Sequence, residues 1–154
     1  MPHQRQPDPG GPVTGRAARR LQDAGTLPDV LVAAFGAFEF IRETARACED
    51  GAPELLATFM TVADRAVDGR DAIMAAPSLS LLPGSRWPQE PAAADADAGW
   101  ASAALAALGV LLARKLAWAA EAAPAGDRES CLCAARAARA IHDLTKGGES
   151  WPAS

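Results

Sequence analysis

From Ala98 to Ala113 the chain runs for sixteen residues without a charge. Wound into a helix, such a run is apolar nearly all round, and a helix of that kind must be buried. It is shorter than the ~20 residues that cross a bilayer, and Arg114, Lys115 and Glu121 close it off. Alanine, its commonest residue, contributes little to membrane insertion. The run therefore predicts the central helix of a soluble bundle rather than a membrane span, with the other helices covering it.

Two further stretches repeat at helical spacing. Leu27, Leu31, Ala34, Phe38, Ile41, Ala45 and Cys48 alternate steps of four and three, one side of a packed helix over 27–50. Thr26 and Asp29 stand at capping-box spacing, and Pro28 suits a first turn. Leu55, Phe59, Val62, Ala66, Gly69, Ile73 and Ala76 keep the same rhythm, which predicts one helix over 53–76. Gly36 and Gly69 would let another element come close. Gly51 turns the chain between the two helices. The third helix is expected over 92–123, broken by Pro124 and Gly126. The fourth, over 128–146, is capped by Asp127 and buries Ala134, Ala137, Ile141 and Leu144. A short helix from Thr14 to Ala24 precedes them all.

The fold class these elements imply is all-α: an antiparallel four-helix bundle with a short extra N-terminal helix and one long Pro-rich loop. A chain of 154 residues is long enough for a single core. Residues 14–146 form that domain, 1–13 a disordered arm with four prolines, and 147–154 a flexible tail. The formal charge of −4 argues against a nucleic-acid binder. Residues 27–76 alone carry nine acids against four bases. Cys48, Cys131 and Cys133 cannot all pair, and Met1 to Pro12 holds no apolar segment, which places the protein in a reducing cytoplasm with no membrane role. Thirteen arginines against two lysines, with no Asn or Tyr, point to a GC-rich bacterial genome.

No catalytic constellation emerges. Cys131 and Cys133, two apart on a helix, point about 200° from one another and cannot share a metal. His142 stands alone, with Arg139 where a di-iron bundle has its Glu, and His3 lies in the arm. Asp64, Asp68 and Asp71 share one helix face with no facing acids, so a solvated surface is the expectation. The chain is read as a non-enzyme with no metal and no cofactor.

Functional candidates then fall in two places. The connection 77–91 holds four prolines, which exclude helix and sheet through most of it. It also holds Leu79, Leu81, Leu82 and Trp87. Long loops of this kind either plug the bundle end or dock a partner. Leu81, Leu82, Arg86 and Trp87, with Trp151 in the tail, are the expected partner-binding residues. The alternative is a ligand-sensing bundle in which Phe35, Phe38, Phe59 and Trp118 line an apolar inter-helix pocket.

The string Asp68-Gly69-Arg70-Asp71-Ala72, followed by Ala76-Pro77-Ser78-Leu79 and preceded by the Phe-rich segment 34–41, resembles small all-helical proteins of actinobacterial conflict systems. These are the CATRA-associated small proteins, which accompany proteins with caspase-like CHAT and tetratricopeptide modules. The resemblance spans residues 27–146. It implies an adaptor in a defence or signalling assembly, whose partner is a CHAT or tetratricopeptide protein or a second copy of the chain, and it transfers no catalytic residues.

Overall fold

The computed structural model describes residues 11–81 and 98–147. Within them the chain is all-α, with no strand: α1 (Gly11–Asp23), α2 (Leu27–Glu49), α3 (Leu56–Met74), α4 (Ala98–Glu121) and α5 (Ala125–Thr145). Two 3-10 helices, η1 (Pro53–Leu55) and η2 (Pro77–Leu81), precede and follow α3.

Helix α2 starts where its cap requires. Thr26 is extended, and its hydroxyl accepts the Asp29 N–H at 3.3 Å. The four-three stripe then buries Leu31, Ala34, Phe38, Ile41, Ala45 and Cys48, and Val30, Ala37 and Phe40 widen it. The second stripe, on α3, buries Phe59, Val62, Ala66, Gly69 and Ile73. Its first turn departs from the expected single α-helix. Residues 53–55 wind as 3-10, with Leu55 N–H donating to the Ala52 carbonyl at 2.9 Å, a tighter turn common at helix starts.

The glycine of the second stripe sets how closely α2 and α3 meet. A Cβ on Gly69 would stand 2.8 Å from Phe38 Cδ1 and nearer still to Cε1 and Cζ. The Phe38 ring thus occupies the space a side chain would need. Beside this contact, Arg70 Nη1 donates to Glu39 Oε1 at 2.7 Å, fastening the two helices at the edge of the core. On α4, Gly109 plays the same part against backbone: its Cβ would lie 2.9 Å from the Ala138 carbonyl oxygen and 3.1 Å from His142 N.

Helix α2 packs on α3, α3 on α5, α5 on α4, and α4 back on α2; α1 lies against α2 and α4. Leu21 and Ala17 of α1 are buried there. Lys115 reaches from α4 to the Gln22 carbonyl at 3.4 Å while its ammonium stands 4.6 Å from the centroid of the Trp118 ring. The α1 helix begins at Gly11, so residues 11–13 of the expected arm are helical; 1–10 lie outside the described residues.

Helix α4 is long and apolar enough to cross a membrane by length and composition, and half of its most apolar window is buried. It is not enclosed on all sides as its composition suggested. Leu105, Leu108, Leu112 and Leu116 are buried, yet Ala107, Ala117 and Trp118 are exposed. Alanine makes this possible, because so small an apolar side chain costs little when left in water.

Candidate functional site

The end of the molecule where α3, η2 and α5 meet joins a buried carboxylate to a distant segment of the chain. Helix α5 starts at Ala125, with Pro124 in the cap position and no side-chain cap. Asp127, expected to be that cap, sits instead inside the first turn and is buried. Its carboxylate is taken up by η2: Oδ1 accepts the Ser78 N–H at 2.9 Å and Oδ2 accepts the Ser78 hydroxyl at 2.6 Å. Pro77 lies against Gly126, where a Cβ would come within 3.0 Å of the proline ring. Leu79 is buried in the core. The start of the proline-rich connection is therefore a short 3-10 helix and not the irregular loop its prolines suggested. Pro77 is tolerated because the first position of such a turn needs no N–H.

Arg128, next in sequence, turns the other way. Its Nε and Nη2 donate to the Ala120 and Ala123 carbonyls, both at 3.1 Å, and so cap the end of α4. One turn further, Cys131 is fully buried, and burial together with the nearby Asp127 pushes its thiol up to about 11. Cys133 points elsewhere and is exposed, so the two sulfurs do not converge.

Two hollows open on this end. One, of about 350 Å³, is lined by Ala72, Ala75, Pro77, Gly126, Ser130 and two residues it shares with its neighbour. That neighbour, of about 260 Å³, is lined by Ala125, Arg128, Leu132 and Arg136. The shared residues, Glu129 and Cys133, stand four apart on α5 and form the ridge between them. Met74, beside Ala75 in sequence, is 57% exposed, and Leu132 is 39% exposed.

The structure describes only one of the partner-binding residues expected from the sequence. Leu82, Arg86, Trp87 and Trp151 lie outside the described residues, and Leu81 is the last residue of η2. The four residues of the alternative pocket differ in burial. Phe38 and Phe59 are buried in the core and Phe35 is partly buried against it, whereas Trp118 is 50% exposed beside Lys115. None of the four lines a hollow described here. Phe38 fills its space against Gly69 instead of bounding a cavity.

Among the described residues no three His, Cys, Asp or Glu side chains come together as a metal site would require. Asp68 pairs with Arg65 at 2.8 Å and Asp71 with Arg70 at 3.5 Å, while Asp64 is exposed. The residues missed from sequence are Asp127 and Ser78 as a pair, and Met74 and Leu132 as exposed apolar groups. Only the Ala-Pro-Ser-Leu string hinted at the first.

No family model, curated protein or solved structure matches the chain.

Proposed function

We propose that the protein is a non-enzymatic helical adaptor that docks a protein partner on the surface where α3 meets α5. The closed circuit of α2, α3, α5 and α4 is read as an antiparallel four-helix bundle, with α1 as the extra helix. Short connections support this: three residues separate α4 from α5, too few to return the chain to the far end. The same reading keeps α4 inside a cytoplasmic bundle, supported by its buried leucines and by Arg114 and Lys115 within its length.

One observation carries the functional reading. Leu132, large, apolar and exposed, lines one of two hollows divided by the Glu129–Cys133 ridge, and Met74, exposed on α3, is next in sequence to Ala75 of the other. Exposed apolar groups around concave surface favour a partner that can fill it. The resemblance to conflict-system proteins points to a CHAT or tetratricopeptide protein encoded beside this chain as that partner.

The test compares the native chain with a Met74→Asp, Leu132→Asp double variant. Binding is measured to the products of neighbouring genes, and self-association by sedimentation. Binding to such a product is expected to fall at least tenfold in the double variant with the melting temperature unchanged. A double variant that binds as the native chain does would overturn the proposal, as would a chain that binds no neighbouring product.

A further inference from the structure

Between α4 and α5, about 200 Å³ of space is lined by Val110, Ala113, Arg114, Arg139 and His142, with no carboxylate among the five. In a chain of net charge −4 that is an uncommon concentration of one sign. Elsewhere the arginines that meet across or along helices find acids: Arg42 with Glu43 at 2.7 Å, Arg65 with Asp68, Arg70 with Glu39. Neither Arg114 nor Arg139 pairs with a carboxylate among the described residues. Asp143, next to His142 in sequence, is engaged by Lys146 at 3.7 Å.

The histidine is held for the same space. His142 Nδ1 lies 3.1 Å from the Ala106 carbonyl oxygen. A carbonyl only accepts, so Nδ1 carries the hydrogen, and Nε2 is the ring nitrogen left to a ligand. The close approach at Gly109 brings α5 near enough for this bond, since Ala138 and His142 are the residues it meets. Two guanidinium forks and one oriented imidazole around a hollow of this size match a small tetrahedral oxyanion. Guanidinium groups take phosphate by paired, charge-assisted hydrogen bonds.

We infer that the hollow formed by Arg114, Arg139 and His142 is a binding site for a phosphate group, either inorganic phosphate or the phosphate of a small monoester. The site lies on the α4–α5 face and is independent of the adaptor surface beside α3. Arg114 and Arg139 donate to the oxygens from opposite helices, and His142 Nε2, the acceptor of the neutral ring, accepts the hydrogen of a P–O–H group.

The experiment titrates the full chain at fixed pH and low ionic strength, following the imidazole proton resonances by NMR. The chain has two histidines, so His3 is an internal reference. Inorganic phosphate, glycerol phosphate and chloride at matched ionic strength are the three ligands. The expected result is a saturable shift of the His142 signal with phosphate or the monoester and none with chloride. Arg114→Gln and Arg139→Gln should each weaken it about tenfold, the usual effect of losing a charged hydrogen bond. Arg46→Gln, at an exposed position on α2, should leave it unchanged. Tighter binding of the monoester identifies an esterified ligand; tighter binding of inorganic phosphate identifies the free ion. A shift that does not saturate, that chloride reproduces, or that survives both Gln variants would overturn the site.

Discussion

Asp127 holds Ser78 by both of its hydrogen-bond donors, the backbone N–H at 2.9 Å and the hydroxyl at 2.6 Å, across 49 residues of sequence. The carboxylate is 2% exposed, so little water competes for it. Hydrogen bonds to a charged group contribute about 1.5–3 kcal/mol each. Asp127→Ala should therefore destabilise the fold by about 3 kcal/mol in urea unfolding. Asp127→Asn should recover part of that loss, because its amide oxygen still accepts the Ser78 N–H. Equal stability of Asp127→Ala and the native chain would show that the apolar contacts of Pro77 and Leu79 hold η2 without these bonds.

Gly69 and Gly109 permit close approaches of different kinds, and substitution separates them. Alanine is a better helix former than glycine by about 1 kcal/mol, which partly offsets any clash. At Gly69 the obstacle is the Phe38 ring, buried with nowhere to swing. Overpacking of that sort costs about 1–3 kcal/mol. Pairing Gly69→Ala with Phe38→Leu should restore part of the loss, by removing the ring atoms in the way. At Gly109 the obstacle is the Ala138 carbonyl and the His142 backbone, so no side-chain change relieves it. Thermal melts of the two alanine variants and the double variant check both expectations.

The stripes on α2 and α3 were legible because each buries one side against a neighbour, and burial at helical spacing writes itself into the sequence. Leu31, Phe38, Ile41, Phe59, Val62 and Ile73 all lie where the four-three rhythm put them. Helix α4 carries no such record: apolar residues occupy both its buried and its exposed positions, so Trp118 could not be told from a core residue. The burial of the four aromatic residues was illegible for that reason and one other. Phe38 and Phe59 were correctly read as apolar, but whether an aromatic bounds a cavity or fills one depends on the facing residue, here Gly69. Asp127 was illegible in a third way. An aspartate at a helix start serves equally as a cap or as an acceptor for a distant segment, and nothing local separates the two.

The three cysteines should differ sharply in reactivity. Cys133 is exposed, while Cys48 and Cys131 are buried. Under native conditions a maleimide should modify Cys133 first, the other two following only on unfolding. Cys131 also carries a pH signature. Its thiol, ordinarily near 9.0, is raised to about 11 by burial first and by Asp127 second. The folded state thus favours the protonated thiol, a contribution fully present below pH 9 and lost as the pH rises towards 11. Cys131→Ala should flatten this alkaline loss of stability. Asp127→Asn should lower the Cys131 value only in part, since burial remains the larger cause.

The Thr44 hydroxyl is fully buried on α2 and has no hydrogen-bond partner among the described residues. A buried polar group left unsatisfied loses its hydration without compensation, at about 1–3 kcal/mol. Valine has nearly the same shape and no hydroxyl, so Thr44→Val removes that cost while keeping the methyl contact. It also preserves branching at Cβ, and the helix propensity of the site hardly changes. The variant should be more stable than the native chain by about 1 kcal/mol, read as a rise of roughly 2–4 °C in melting temperature for a domain of this size. Thr44→Ser keeps the hydroxyl and loses the methyl, so it should be less stable than either. A destabilised Thr44→Val variant would show that the hydroxyl is hydrogen-bonded in the native fold.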